Sequence, residues 1–524
     1  MTSQILRDAR HYEAIAEQTI PPEKRPAFHL STRVGWMNDP NGFSYYQGRC
    51  HLFYQYYPYG TKWGLMHWGH AVTDDLLHWE YLPAALAPDS LPDRDGCFSG
   101  SAIELPDGRQ LLMYTGVVDL GGVPGEPTES IQTQCLAVGD GVNYEKYEGN
   151  PVLTVDDVPE GGSKVDFRDP KMWREADGSY GCVVGNRPAD GSGQLLYYTS
   201  DDGFHWRFES VLAQNLGRFG LMWECPDFFV LDGRHVLLVS PQDMLPDGYE
   251  YHNGNGTVCL IGRYDAERKR FIEETNHAVD YGIDFYAPQT TLTPDGRRIM
   301  IGWMQNWDTL SVSTVKSRWF GQMTLPRELS IRNGRLYQRP VRELDALRGE
   351  RVAHENVRFS GERTLEGVSG RTVDITVTIR PGDTGNVYKK FAVWFGKNDA
   401  CHTTLSYRPY ESILKIDRKF SGSRRAVIHQ RRCKVPDRGG ELTFRMILDR
   451  FSVEVFVNDG EQTLTATMFT DPSADGICFL ADGEVCMDVE KYDLNNDSKL
   501  GVQKREKEWY HRAGDDDTHE IPLQ

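Results

Sequence analysis

From about residue 26 to residue 340 the chain alternates short apolar runs with clusters of Gly, Asp, Asn and Pro. His51 to Tyr56, Leu111 to Thr115, Gly181 to Gly185, His235 to Ser240 and Arg298 to Trp303 are such runs. Each is of strand length and is bounded by turn residues, so each predicts a strand. Three acids stand at a repeated place relative to these runs, in Asp39-Pro40, Asp169-Pro170 and Glu224-Cys225-Pro226. A turn glycine follows each acid nine positions later, at Gly48, Gly178 and Gly233. Ser99 with Gly108, and Ala287 with Gly296, keep the nine-residue offset without an acid. Five units therefore begin near 39, 99, 169, 224 and 287, at spacings of 60, 70, 55 and 63 residues. About four strands per unit at a period near 60 predicts a five-bladed β-propeller. Thr73-Asp74-Asp75-Leu76-Leu77-His78-Trp79 is echoed by Ser200-Asp201-Asp202-Gly203-Phe204-His205-Trp206. This echo predicts an outer-strand corner with its tryptophan buried between blades.

The two ends read differently. Residues 1–25 predict a short helix, with Tyr12, Ile15 and Ala16 on one face, and a linker at Pro21-Pro22. In 350–494 the runs Thr372 to Ile379, Phe391 to Phe395 and Leu442 to Leu448 alternate and are joined by polar turns. The hairpin Phe451 to Val457 closes on Asn458-Asp459-Gly460, and Gly476 to Leu480 and Val485 to Val489 end the series. That pattern predicts a β-sandwich. Residues 495–524 are densely charged and are expected to form a solvated extension. The expected class is all-β, a five-bladed β-propeller followed by a C-terminal β-sandwich.

Composition narrows the partners. A chain of 524 residues holds two or three domains, and a net charge of −18 disfavours nucleic acid and anionic membranes. No apolar run is long enough to span a bilayer, and Met1 to Gln18 lacks the apolar core of a signal peptide. The ten cysteines are scattered without a Cys-x-x-Cys pair, which predicts reduced, buried thiols and a cytoplasmic protein. Asp93-Arg94-Asp95-Gly96 hints at calcium, but too few ligands follow and a plain turn is expected. Neither metal nor cofactor is expected. A monomer and a homodimer both remain open.

The first strand of a propeller blade lines the central channel, so positions 39, 99, 169, 224 and 287 are expected to ring one end of it. Converging carboxylates repel one another, and their convergence points to function. Two carboxylates flanking a bond suit glycoside cleavage, and three suit a metal. The accompanying Trp36, Trp63, Phe98, Trp223 and Trp303 favour sugar faces over a hard cation.

An ordered set of motifs then resembles one family, the invertases or β-fructofuranosidases of glycoside hydrolase family 32. It comprises Trp36-Met37-Asn38-Asp39-Pro40-Asn41-Gly42, Phe98-Ser99-Gly100-Ser101, Phe167-Arg168-Asp169-Pro170 and Trp223-Glu224-Cys225-Pro226-Asp227. Asp284-Phe285-Tyr286-Ala287-Pro288-Gln289 and Glu454-Val455-Phe456-Val457-Asn458-Asp459-Gly460 complete it. The resemblance implies cleavage of terminal β-fructofuranosides with retention, through a covalent fructosyl-enzyme. It implies Asp39 as nucleophile, Glu224 as general acid/base and Asp169 as the acid that steadies the transition state. It also implies a fructosyl pocket of Asn38, Gln55, Trp63, Phe98, Ser99, Arg168 and Asp284, with Trp303 as a further wall. Cys225 is expected to be a small buried neighbour that tunes Glu224. A non-catalytic sugar-binding propeller and a fructosyltransferase are the alternatives. The leaving group stays open among sucrose, its 6-phosphate and fructan oligomers. Lys62, Lys316 and Arg318 are the basic residues expected at the rim.

Overall fold

The computed structural model describes residues 2–121, 130–310, 318–382, 386–422 and 428–495. Lys316 and the charged tail after Asn495 lie outside the described residues. Five antiparallel blades follow one another along the chain. Blade I runs Gly35–Tyr46, Arg49–Tyr57, His67–Thr73 and Trp79–Leu86; blade II runs Gly96–Glu104, Gln110–Asp119, Ser130–Gly139 and Tyr144–Lys146. Blade III runs Phe167–Arg174, Tyr180–Asn186, Gln194–Ser200 and Arg207–Gln214; blade IV runs Trp223–Leu231, Arg234–Pro241, Val258–Asp265 and Arg270–Ala278. Blade V runs Tyr286–Leu292, Arg298–Trp303, Arg327–Arg332 and Arg335–Pro340. The short strand Trp319–Phe320 leaves blade V and pairs in parallel with Gly35-Trp36, which closes the ring.

The innermost strands are tied laterally by polar side chains. Gln289 donates to the carbonyl of Gly100 at 2.8 Å and accepts from the Phe43 amide at 3.3 Å. Ser101 donates to the Pro170 carbonyl at 2.8 Å, and Lys171 pairs with Asp227 at 3.1 Å. Asp227 in turn accepts from the Thr290 amide at 2.6 Å. These bonds link all five blades across the axis and fix the frame that carries the acids.

The acid-bearing motifs lie within the first strands. Each first strand carries a bulge at the motif: the register shifts between Met37 and Pro40, Phe98 and Gly100, Glu224 and Asp227, and Tyr286 and Gln289. Blade III shifts likewise, opposite Val183 and Gly185. Proline donates nothing to a ladder and is tolerated at such bulges, which re-aim the neighbouring side chain. Gly42 is required beside the first bulge. Its φ is +52°, and a Cβ there would lie 2.7 Å from the Phe53 ring.

Two peripheral expectations change. The N-terminal helix Gln4–Glu17 buries Leu6, Ala9, Glu13 and Ala16, whereas Ile15 is 49 % exposed. Glu13 selects that face, because its carboxylate accepts from the Ala84 amide and pairs with Arg33. The repeated Asp-Asp corners are built by Asp75 and Asp202, which accept from the backbone amides of His78 and His205. Their tryptophans, Trp79 and Trp206, are half-buried. Asp93 caps its turn through Ser90 and accepts from the Tyr114 hydroxyl.

The C-terminal unit is one ten-stranded hydrogen-bonded sheet folded into two layers. Two long strands, Arg348–Arg363 and Gly476–Leu494, make the fold-over. The first half of Gly476–Leu494 pairs with Lys390–Lys397, and the second half with Val373–Pro381. Phe391, Phe444 and Phe479 fill the space between the layers.

This unit is joined to the propeller by buried charge. His29 contacts Asp449 and Glu454, each at 2.8 Å, and Arg327 bonds Glu454 and Asp280, all with side chains 0 % exposed. Burial pulls the His29 imidazole down, but bonds to Asp449 and Glu454 outweigh it and raise it to about 9. Its contribution to stability is therefore fully present below its unfolded value and is lost as pH rises through about 9. Glu454→Gln leaves Arg327 and His29 without their shared carboxylate. It is expected to cost about 3–5 kcal/mol, seen as a lower urea midpoint at unchanged slope. Removal of 350–524 exposes the same junction and is expected to leave the propeller insoluble.

Candidate active site

The three acids converge as one buried group. Asp39, Asp169 and Glu224 are 7 %, 6 % and 9 % exposed. Asp39 Oδ2 accepts from Ser99 Oγ at 2.9 Å and from Cys225 Sγ at 3.4 Å, while among the described residues nothing donates to Oδ1. Asp169 Oδ2 accepts from the Cys225 amide at 2.9 Å and the Cys225 thiol at 3.6 Å. Cys225 therefore bridges the two aspartates.

That contact corrects the spacing argument. In blades III, IV and V the residue before proline is left-handed, with φ of +66° at Asp169, +47° at Cys225 and +50° at Ala287. Cys225, and not Glu224, is the blade IV counterpart of Asp169. The nine-residue glycine offset misses this by one residue; alignment on the X-Pro pairs at 40, 170, 226 and 288 finds it. Glu224 precedes that slot and its carboxylate has different partners. Arg168 Nε donates to Glu224 Oε1 at 3.0 Å, and the Tyr286 hydroxyl lies 2.8 Å from Oε2. The Tyr286 hydroxyl is also 2.9 Å from the Ser240 carbonyl. Its single proton serves one of the two acceptors at a time. When Glu224 is protonated on Oε2, the tyrosine can accept from it and donate to Ser240. When Glu224 is ionised, the tyrosine donates to it.

The electrostatics follow from burial of like charges. Burial raises the Asp39 carboxyl to about 6, with the charge of Glu224 acting in the same direction. Burial and Glu224 raise Asp169 to about 7, against the pull of Arg168. Burial, together with Asp169 and Asp39, pushes the Cys225 thiol far above its ordinary value. It is a neutral donor at neutral pH and not a thiolate nucleophile.

Around this centre, Asn38 accepts from Trp36 Nε1 at 2.7 Å and Gln55 donates to the Cys97 carbonyl at 3.0 Å. Trp36 stacks on Phe320 with ring centres 4.9 Å apart. Trp63 stands at the rim, 48 % exposed and edge-on to Phe98 at 5.8 Å. Trp303 is 0 % exposed and packs against Trp36, so it braces a wall rather than forming one. Asp284 is placed elsewhere. It is fully buried at the junction of the two units, where it accepts from Arg418 and from the Thr467 amide and hydroxyl. Two residues along the same motif, Tyr286 reaches Glu224. Sequence reasoning missed Tyr286, although it stands inside a motif already singled out.

Paired carboxylates beside aromatic side chains are a setting for glycoside cleavage. Comparison with known proteins decides the family. The family model described as glycosyl hydrolases family 32 N-terminal domain matches residues 29–340, and its C-terminal counterpart matches 343–496. The chain belongs to glycosyl hydrolase family 32. It is 41 % identical over 458 residues to a raffinose invertase of Escherichia coli, covering 86 % of this chain and 90 % of that one. It is 38 % identical to a sucrose-6-phosphate hydrolase of Escherichia coli, covering 85 % and 90 %. A family 32 β-fructofuranosidase of Bombyx mori superposes with a TM-score of 0.78 at 36 % identity, covering 93 % and 98 %. This family 32 enzyme is a β-fructofuranosidase.

Proposed function

We propose that the enzyme hydrolyses sucrose and related β-fructosides, with Asp39 as nucleophile and Glu224 as proton donor and acceptor. The supporting observation is the asymmetry of Asp39: Oδ2 is held by two donors, and Oδ1 has none among the described residues. Oδ1 attacks the anomeric carbon of the fructosyl unit. The glycosidic bond breaks and Glu224 gives its proton to the leaving oxygen. Water then attacks the same carbon, passes a proton to Glu224 and releases the Asp39 carboxylate. Arg168 fixes Glu224 Oε1, so the transferable proton resides on the carboxyl's remaining positions. Asp169 receives fructosyl hydroxyls and steadies the positive charge that develops on the ring.

The relatives' names divide between raffinose, sucrose 6-phosphate and β-fructofuranoside cleavage. We assign the unphosphorylated sugar, because Arg168 is already engaged with Glu224 and Asp166, and the Asp166 carboxylate beside Arg187 would set a like charge against a phosphate. Rates on sucrose, sucrose 6-phosphate and a short inulin oligomer test this. Preference for the 6-phosphate by more than about tenfold contradicts it. We also place the enzyme in the cytoplasm. All ten cysteines are free and buried, as a reducing compartment permits. Among the described residues no helix is long and apolar enough to cross a membrane.

Cys225→Ser is expected to keep measurable turnover. A hydroxyl donates more strongly than a thiol, so it stabilises ionised Asp39 and lowers its carboxyl from about 6. Asp39 must be ionised to attack, so the acidic limb of kcat/KM should move to lower pH. Activity as low as that of an Asp39 variant would give Cys225 a chemical role of its own.

A further inference from the structure

Beyond Glu224, on the side away from Asp39, the charges continue in a chain on blade III. Arg168 Nε holds Glu224 Oε1 at 3.0 Å, and Arg168 Nη1 holds Asp166 Oδ1 at 2.8 Å. Asp166 Oδ2 is held in turn by Arg187 Nη2 at 2.7 Å. The first three side chains are nearly buried, 12 % exposed at Glu224, 10 % at Arg168 and 15 % at Asp166, and the last, Arg187, is 40 % exposed. The chain thus starts in the buried acid cluster and ends at solvent.

Its members are fixed. Asn186 donates to the Asp166 carbonyl at 2.7 Å and to the Ser163 carbonyl at 2.8 Å, and accepts from Gln194 at 2.9 Å. Gln132 accepts from the Phe167 amide at 3.0 Å and from Arg168 at 3.3 Å. Asn186 ends the second strand of the blade and Arg187 follows it, so the backbone presenting Arg187 is also anchored. Among the described residues Asp166 is the carboxylate that Arg187 pairs with, at 2.7 Å. The guanidinium keeps further donors, and each Asp166 oxygen keeps a second lone pair.

We propose that Asp166 and Arg187 form the subsite for the departing sugar, reading its hydroxyls as an acceptor and donor pair. This rests on Glu224 as proton donor. The oxygen that Glu224 protonates belongs to the leaving unit, so that unit must lie on the Glu224 side of the cluster. A neutral hexose offers vicinal hydroxyls that bridge a carboxylate and a guanidinium. A phosphate dianion would meet Asp166 as well as Arg187, and the like charge disfavours it. The Asp166–Arg187 pair therefore selects a neutral, hydroxyl-rich leaving group, while fructosyl recognition stays with the buried cluster.

Arg187→Ala tests this, assayed as kcat/KM on sucrose, on sucrose 6-phosphate and on para-nitrophenyl β-fructofuranoside, whose leaving group carries no sugar hydroxyls. The sucrose value should fall about 10- to 100-fold, the effect of a lost charged hydrogen bond, and the nitrophenyl value should stay within about twofold. Arg187→Lys, which keeps the charge without the fork, should fall between the two on sucrose. Unchanged thermal unfolding separates a subsite effect from misfolding. Equal losses on sucrose and the nitrophenyl substrate, or no loss on either, overturn the proposal. So does a loss confined to sucrose 6-phosphate, which would make Arg187 a phosphate contact. Glu224→Gln in the same assays checks the underlying assignment separately. If its loss is as large for nitrophenol as for glucose, Glu224 is not the proton donor, whatever Arg187 does.

Discussion

Asp39→Asn is expected to lower kcat by roughly four to six orders of magnitude and to leave a more stable protein at alkaline pH. The kinetic loss follows because the amide cannot form the fructosyl ester, and the bridging thiol of Cys225 is a neutral donor that cannot replace it. The stability gain follows from linkage. Burial and the Glu224 charge raise the Asp39 carboxyl to about 6 in the fold. An acid so raised contributes stability that is fully present below its unfolded value and is lost as pH rises through about 6. The native enzyme therefore carries a buried charge above that pH, and asparagine does not. The gain should be about 1–3 kcal/mol near pH 8 and should shrink near pH 4. Urea unfolding at both pH values measures it. A variant less stable than the parent at pH ~8 would show that Asp39 is better solvated than its neighbours indicate.

Glu224→Gln is the second large effect. The amide can still accept from Arg168 and meet Tyr286, so the site should keep its shape. Proton transfer is lost, and kcat on sucrose should fall about 10²- to 10⁴-fold. The para-nitrophenyl fructoside needs little acid assistance in its first step. That step should stay fast while hydrolysis of the ester, deprived of its base, becomes slow. Stopped-flow absorbance should then show a burst of nitrophenol equal in amount to the enzyme, followed by a slow steady state. A slow linear trace with no burst would mean that Glu224 acts before the ester forms, by holding substrate or Arg168.

The sequence exposed the propeller because its blades repeat locally: a strand, a turn glycine and a second strand recur within each unit, and such signals need no tertiary information. The carboxylate cluster was legible for the same reason. The errors arose where the length of a hairpin or a long-range contact decides the outcome. The glycine offset placed Glu224 in the slot that Cys225 occupies, because Pro226 and Gly233 are seven positions apart where Pro40 and Gly48, Pro170 and Gly178, and Pro288 and Gly296 are eight, and the shorter hairpin leaves the hydrophobic pattern intact. Asp284 and Tyr286 lie two residues apart, and only the packed C-terminal unit shows that Arg418 and Thr467 engage the first while Glu224 meets the second. Glu13 lies on the buried face of its helix because Arg33 and the Ala84 amide reach it, which the helical periodicity alone does not reveal. The Asp166–Arg187 pair joins residues separated by a hairpin, and no local motif marks it.

Attack by Asp39 and then by water inverts the anomeric carbon twice. The configuration of the fructose first released therefore reports directly on whether Asp39 forms a bond. Early-time NMR of sucrose hydrolysis, recorded before mutarotation, should show β-fructofuranose first. Initial release of the α anomer would mean a single displacement by water, with Asp39 as its base, and would contradict the covalent route.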